Sequence, residues 1–143
     1  MWSKTATALN LSAIFTALLL YGCDPGVNYK RIIVNQSDHD IMLYIYEGKT
    51  PAGPYAYKQD ALLLKKHSET IIAETTTLHQ AREYENCYSN ADSIVGKIDH
   101  RDSLSLDIDI NDAANWKFSR LKKSFGDGGV CECRLVIHHN DIQ

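Results

Sequence analysis

Several features that commonly mark function are scarce or missing in this chain of 143 residues. Its formal net charge is only −3, so the charge balance does not indicate a nucleic-acid partner. It has no internal repeat, no low-complexity tract and no long helical period of apolar residues, which excludes repeat architectures and helical bundles. It holds only three prolines, and two of them, Pro51 and Pro54, stand in one turn-rich loop.

Local motifs of common enzyme classes are also missing. The chain has no nucleophile elbow and no zinc-protease helix. Residues 126–129 read GDGG, but no helix with Lys-Ser or Lys-Thr follows, so a phosphate loop is not supported. Asp38, His39 and Asp40 resemble a charged triad in print, yet in a turn they are better explained as solvated caps. No catalytic residue and no cofactor is predicted.

The apolar residues at the N-terminus are typical of a secretory signal. Lys4 is the one charged residue before a run over residues 11–21 that is almost wholly apolar. The run is shorter than the roughly 20 residues that a transmembrane helix needs. An uncleaved signal anchor and a buried N-terminal helix are the alternatives.

The end of this run carries a resemblance to a known family. Leu20, Tyr21, Gly22 and Cys23 resemble the lipobox of bacterial lipoproteins, with an aliphatic residue three before the cysteine and a small residue just before it. The resemblance implies that the Cys23 thiol carries a diacylglyceryl group and that the signal is cut before it. We therefore predict a cell-envelope protein that a lipid anchor holds at the membrane, facing the periplasm or the cell surface.

This division gives a signal peptide at 1–22, a lipidated tether at 23–28 and a domain at 29–143. Short β-rich segments separated by turn clusters predict an all-β, sandwich-like domain of about seven or eight short antiparallel strands, with one or two short helices. Segments 58–66, 69–77 and 130–139 are each predicted to form a strand.

Two hairpins are predicted within this domain. Residues 29–34 are expected to pair with residues 40–46, within which IMLYIY at 41–46 predicts a strand covered on both faces or nearly so. Residues 92–99 are expected to pair with 103–110, where apolar and polar residues alternate. Residues 77–88 fit a short helix or a loop, and 111–125 fit a helix or a strand.

Three segments of the domain resemble small lipoproteins of Bacteroides-type bacteria. They are VNQSDHDIMLYIY at 34–46, NADSIVGKIDHRDSLSLDI at 90–108 and CRLVIHHNDI at 133–142. The resemblance implies a sandwich-like domain of unknown function and agrees with the lipid anchor. It transfers no catalytic residues.

Three cysteines remain once Cys23 is assigned to the anchor. Cys131 and Cys133 are two apart on a predicted strand and share a face, so either could form a disulfide with Cys87. Three reduced cysteines and an intermolecular disulfide are the alternatives. A metal site of Cys131, Cys133, His138 and His139 is not predicted, because adjacent histidines on a strand point to opposite faces.

Tyrosines give the clearest indication of binding. Tyr44 and Tyr46 share one strand face with Met42, and Tyr55 and Tyr57 follow in the turn-rich loop. The four tyrosines could form an aromatic platform for a protein or a glycan, or they could be core and loop packing. The sequence therefore predicts a membrane-anchored binding or structural module. A metal-dependent or hydrolytic periplasmic enzyme is the alternative.

Overall fold

The structure is a computed structural model that describes residues 26–47, 58–87 and 91–143. The described residues form seven strands in two sheets, and their helical segments are four short 3₁₀ turns, which confirms the all-β, sandwich-like prediction. The strands are β1 Val27–Asn35, β2 Ile41–Glu47, β3 Lys58–Leu64, β4 Ser68–Thr77, β5 Ala91–Ile98, β6 Lys117–Lys123 and β7 Gly129–Ile137. The 3₁₀ turns are Ala81–Tyr84, Ala113–Asn115, Phe125–Asp127 and His139–Asp141.

The four-stranded sheet has the order β4-β1-β7-β6. Its pairs β1–β4 and β6–β7 are antiparallel, but β1 and β7 run parallel, with Val27 beside Gly129 and Asn35 beside Ile137. The prediction of antiparallel strands is therefore wrong for the central pair. Apolar alternation identifies the buried face of a strand, and it contains no information about the direction of the neighbour.

The three-stranded sheet has the order β3-β2-β5 and is antiparallel throughout. The predicted hairpin of β1 with β2 is wrong, because the two strands lie in different sheets. The fully buried Asn35 stabilises the segment in which the chain passes from β1 in one sheet to β2 in the other. Its amide Nδ2 donates to the carbonyl oxygens of His39 at 2.7 Å and Lys65 at 3.2 Å, and its Oδ1 accepts from the backbone N–H of Ser37 at 3.0 Å.

The segment 103–110 does not form the strand that its alternation predicts. The backbone N–H and carbonyl oxygen of Ile94 in β5 instead bond to the Asn111 side chain, at 2.7 and 3.0 Å. Ser105 and Gln143 exchange backbone hydrogen bonds of 2.6 and 3.1 Å, so this segment pairs with the C-terminal tail. One amide side chain thus occupies the edge position that a neighbouring strand would take.

The core lies between the two sheets. Alternate residues of β1 and β7 point inward, among them Val27, Ile33 and Leu135, and all three are fully buried. Ile41 and Leu43 of β2 face them from the other sheet and are equally buried. The 3₁₀ turn Ala81–Tyr84 lies over β1 and β7 and adds the buried Ala81 and Tyr84 to the same core.

Candidate functional site

The outer face of the three-stranded sheet is the candidate site. In the register of β2, Met42 pairs with Leu63 and Lys97, and Tyr44 pairs with Ala61 and Val95. Paired residues point to the same side of a sheet. The surface named here the tyrosine face therefore includes the described side chains of Met42, Tyr44, Tyr46, Ala61, Leu63, Ser93, Val95 and Lys97.

Exposure separates the two faces of β2 clearly. Ile41 and Leu43 are fully buried, whereas Met42, Tyr44 and Tyr46 are half-buried. The strand is thus fully covered on its inner face and only partly on its outer face, and Tyr44 and Tyr46 lie outside the core between the sheets. On the flanking strands, Leu63 is 40% exposed and Val95 is 41% exposed.

The chemistry of the tyrosine face is mainly apolar. The Lys97 ammonium lies 5.8 Å from the centroid of the Tyr44 ring, at the outer limit of a cation–π contact. Tyrosine and methionine are enriched at the centres of protein interfaces, where charged side chains are scarce. The tyrosine face is therefore suited to contact with an extended surface of a partner molecule.

Part of the predicted site lies outside the described residues. Tyr55 and Tyr57, the loop members of the predicted platform, and Cys23, the predicted lipidation site, all fall in the undescribed ranges. Tyr44 and Tyr46 are described and share one face, as their spacing predicts.

The structure joins Cys87 to Cys133 and leaves Cys131 as a buried free thiol within the described part of the chain. Cys131 and Cys133 do share the inner face of β7, and burial raises the pKa of the Cys131 thiol. Next to them the rings of Tyr29 and Tyr84 stack, with centroids 4.4 Å apart. The disulfide and this stack hold the 3₁₀ turn Ala81–Tyr84 against the four-stranded sheet.

A cleft of about 380 Å³ lies beside this stack, and sequence reasoning did not find it. His79 Nδ1 lies 3.2 Å from Glu83 Oε2, and Thr77 Oγ1 lies 2.8 Å from the hydroxyl of Tyr84. Burial raises the pKa of Tyr29 to about 12, which keeps its phenol protonated at neutral pH. Among the described lining residues, the imidazole is paired with a carboxylate and not with a hydroxyl nucleophile.

Histidines gather at the opposite end of β1 around Asp38. Its two carboxylate oxygens lie 3.0 Å from His67 Nε2 and 3.5 Å from His139 Nδ1. Asp40 accepts a hydrogen bond of 2.7 Å from the backbone N–H of Lys66, which is a capping contact. Across the described ranges, no three His, Cys, Asp or Glu side chains form a group that could hold a metal ion.

A buried cation lies on the inner face of the four-stranded sheet. Arg31 is 4% exposed, its guanidinium carbon lies 3.8 Å above the ring of Trp116, and burial lowers its pKa. Within the described residues, its Nε has no hydrogen-bond acceptor. The indole N–H of Trp116 donates to the carbonyl oxygen of Ile110 at 2.8 Å, which holds the ring in place.

Comparisons of the chain with protein-family models, curated proteins and solved structures found no match. Among the residues that the structure describes, no helix has both the length and the apolar character to cross a membrane.

Proposed function

We propose that this protein is a lipid-anchored binding module of the cell envelope and that it binds a protein partner on its tyrosine face. The observation that carries the proposal is the exposed apolar surface of the three-stranded sheet. Leu63 and Val95 are exposed there beside Tyr44, whereas the exposed Ile71 of the other sheet lies on a face that also carries Glu69 and Arg134. Exposed apolar patches in soluble domains mark sites of interaction.

The anchor part of the proposal is supported by the N-terminal sequence. An apolar run follows Lys4 and ends at Gly22 and Cys23, in the pattern of a lipobox. The disulfide between Cys87 and Cys133 is consistent with an extracytoplasmic location, because disulfides persist mainly in oxidising compartments.

The shape and chemistry of the tyrosine face favour a protein over a small ligand. Small molecules are usually bound in concave pockets, whereas this surface is the open face of a sheet. Its described members are mainly aromatic and aliphatic, with Ser93 and Lys97 as the polar side chains. Protein interfaces place such residues at the centre and polar residues at the rim. The enzyme alternative has no supporting group of side chains among the described residues.

The anchor is tested by replacing Cys23→Ser in the full chain and fractionating cells. We expect the variant to leave the membrane fraction and to lack the mass of the acyl groups. Cys131→Ser is the matched control, because it changes a cysteine outside the disulfide and should stay in the membrane. A Cys23→Ser protein that remains membrane-bound at unchanged mass would contradict the anchor.

The binding surface is tested by photo-crosslinking in living cells. A benzoylphenylalanine at Tyr44 should yield one discrete adduct, and the same probe at Ile71, which is 48% exposed on the other sheet, should not. The captured protein is then identified and purified for a direct binding assay. Val95→Asp should abolish that binding, and Ile71→Asp should preserve it.

Two outcomes would overturn the assignment of the surface. Equal crosslinking from Tyr44 and Ile71 would show that the tyrosine face is not selective. Binding to a purified glycan that Tyr44→Ala removes, without any protein adduct, would replace the protein partner with a sugar.

A further inference from the structure

The ends of four strands meet where the described chain begins. Val27, the first residue of β1, pairs with Thr77 at the end of β4 and with Gly129 at the start of β7. Gly129 in turn pairs with Lys123 at the end of β6. We name this end of the four-stranded sheet, marked by Val27, Thr77, Lys123 and Gly129, the tether end.

Two leucines project from the tether end. Leu78 follows Thr77 and is 69% exposed, and Leu121 lies in the β6 bulge between Arg120 and Lys122 and is 61% exposed. They are the most exposed large apolar side chains in the described part of the molecule. They belong to opposite edges of the sheet, three strand spacings or about 14 Å apart, with β1 between them.

The length of the tether limits how far this end can lie from the membrane. This step rests on the proposed function, in which Cys23 carries the lipid. The chain from Cys23 to Val27 spans at most about 14 Å when fully extended. The tether end must therefore stay within about that distance of the lipid headgroups. Exposed apolar side chains at this end are then close enough to the bilayer surface to bind it.

We infer that the tether end docks on the lipid bilayer, with Leu78 and Leu121 inserted among the headgroups on either side of the tether. The exposed Lys122 and Lys123 follow Leu121 and can keep their ammonium groups in water while their methylene stems follow the apolar surface. Because the leucines lie on both edges of the sheet, the contact fixes the tilt of the domain on the membrane. A single lipid attachment point would leave that tilt free.

The inference is tested with tryptophan as a depth probe in the full, lipidated chain. Leu78→Trp and Leu121→Trp are reconstituted into phosphatidylcholine vesicles with and without bromine on the acyl chains. Leu63→Trp on the tyrosine face is the matched control, and the buried Trp116 gives the same background in all three. We expect emission from positions 78 and 121 to fall by about half in brominated vesicles, since side chains inserted by 5–10 Å reach the acyl boundary.

The outcomes separate this inference from the anchor itself. A protein whose mass shows no acyl groups on Cys23 would overturn both. A diacylated protein in which Trp at positions 78 and 121 is quenched no more than Trp at position 63 would overturn only the docking. Unquenched emission that shifts to the blue as the protein-to-lipid ratio rises would assign the leucines to a contact between two copies of this chain, which also overturns it.

Discussion

The outer faces of the two sheets differ in their chemistry. On the four-stranded sheet, Arg134 bonds to Glu69 at 2.7 Å and to Glu132 at 2.6 Å. Ile32, which pairs with Arg134 on that face, is only 4% exposed. On the three-stranded sheet, Leu63 and Val95 remain in contact with water. Both faces expose apolar residues, since Ile71 on the first is 48% exposed, but Ile71 shares its face with the ion pair of Arg134 and Glu69 whereas Leu63 and Val95 share theirs with Tyr44.

The ion pairs on the four-stranded sheet affect the surface more than the stability of the fold. The hydrogen bonds that Arg134 donates to Glu69 and Glu132 raise its pKa, and bonds from Asn28 and Lys30 lower the pKa of Glu74. These groups are partly or fully exposed, and such ion pairs typically contribute less than about 1 kcal/mol each. Their effect is to make this outer face more highly charged than the tyrosine face.

The largest expected effect comes from removing the disulfide between Cys87 and Cys133. Among the described residues, this covalent link is found at the four-stranded sheet and not at the three-stranded one. Cys87→Ala should lower the free energy of unfolding by about 4 kcal/mol, because the disulfide to Cys133 closes a loop of 46 residues in the unfolded chain. Urea denaturation measures the loss, with Cys131→Ala as the control that leaves the disulfide in place. Equal losses in the two variants would show that the disulfide adds little.

Adjacent residues of β2 test the contrast between its two faces. Leu43→Ala should cost about 3 kcal/mol, because it removes a fully buried side chain and leaves a cavity between the sheets. Tyr44→Ala should cost less than about 1 kcal/mol, since that side chain is half-buried on the outer face. Urea denaturation of both variants measures the difference. A loss at Tyr44 as large as the loss at Leu43 would place Tyr44 in the core and argue against the tyrosine face.

Removing the charge of Arg134 from the outer face of the four-stranded sheet should change the free energy of unfolding only a little. Arg134→Met is expected to alter the free energy of unfolding by at most about 1 kcal/mol. The Arg134 side chain is 35% exposed, so water screens its ion pairs. The difference from wild type should shrink further in concentrated salt, as measured by urea denaturation with and without added sodium chloride. A loss of several kcal/mol would mean that these ion pairs are a structural element.

The smallest effect concerns acid. Hydrogen bonds from Asn28 and Lys30 to Glu74, and from Arg120 to Asp127, place the folded-state pKa of each carboxyl below its unfolded value. Their stabilising contribution is therefore present above the unfolded pKa and is lost as the pH falls, between about pH 5 and pH 3. Glu74→Gln and Asp127→Asn should each flatten the acid limb of stability against pH. The curve of stability against pH for Tyr44→Ala, which removes no carboxylate, should run parallel to that of wild type. If the curves of all three variants run parallel to wild type, Glu74 and Asp127 do not cause the loss of stability in acid.

Much of the strand content could be predicted from the sequence. The segments 58–66, 69–77 and 130–139 closely match β3, β4 and β7, because alternation and β-branched residues report on a strand locally. Partner choice could not be predicted in this way. The crossing at Asn35 and the pairing of residue 105 with the C-terminal tail depend on contacts between distant segments.

The candidate site was partly visible in the sequence. The spacing of Tyr44 and Tyr46 placed them on one face, and the alternate residues Ile41, Leu43 and Ile45 are more strictly aliphatic, which marks the inward set. The same reasoning could not choose between Cys131 and Cys133 as partner of Cys87. That choice depends on where the 3₁₀ turn Ala81–Tyr84 lies over β7.

The parallel pairing of β1 with β7 also governs the order of folding. The first strand of the domain lies at the centre of its sheet, between β4 and the last strand of the chain. The sheet cannot close until the chain through Ile137 is available, and such distant pairing is intrinsically slow. In the export that we propose for this protein, in which the chain crosses the membrane unfolded, this pairing would delay compaction until the final strand has emerged on the far side.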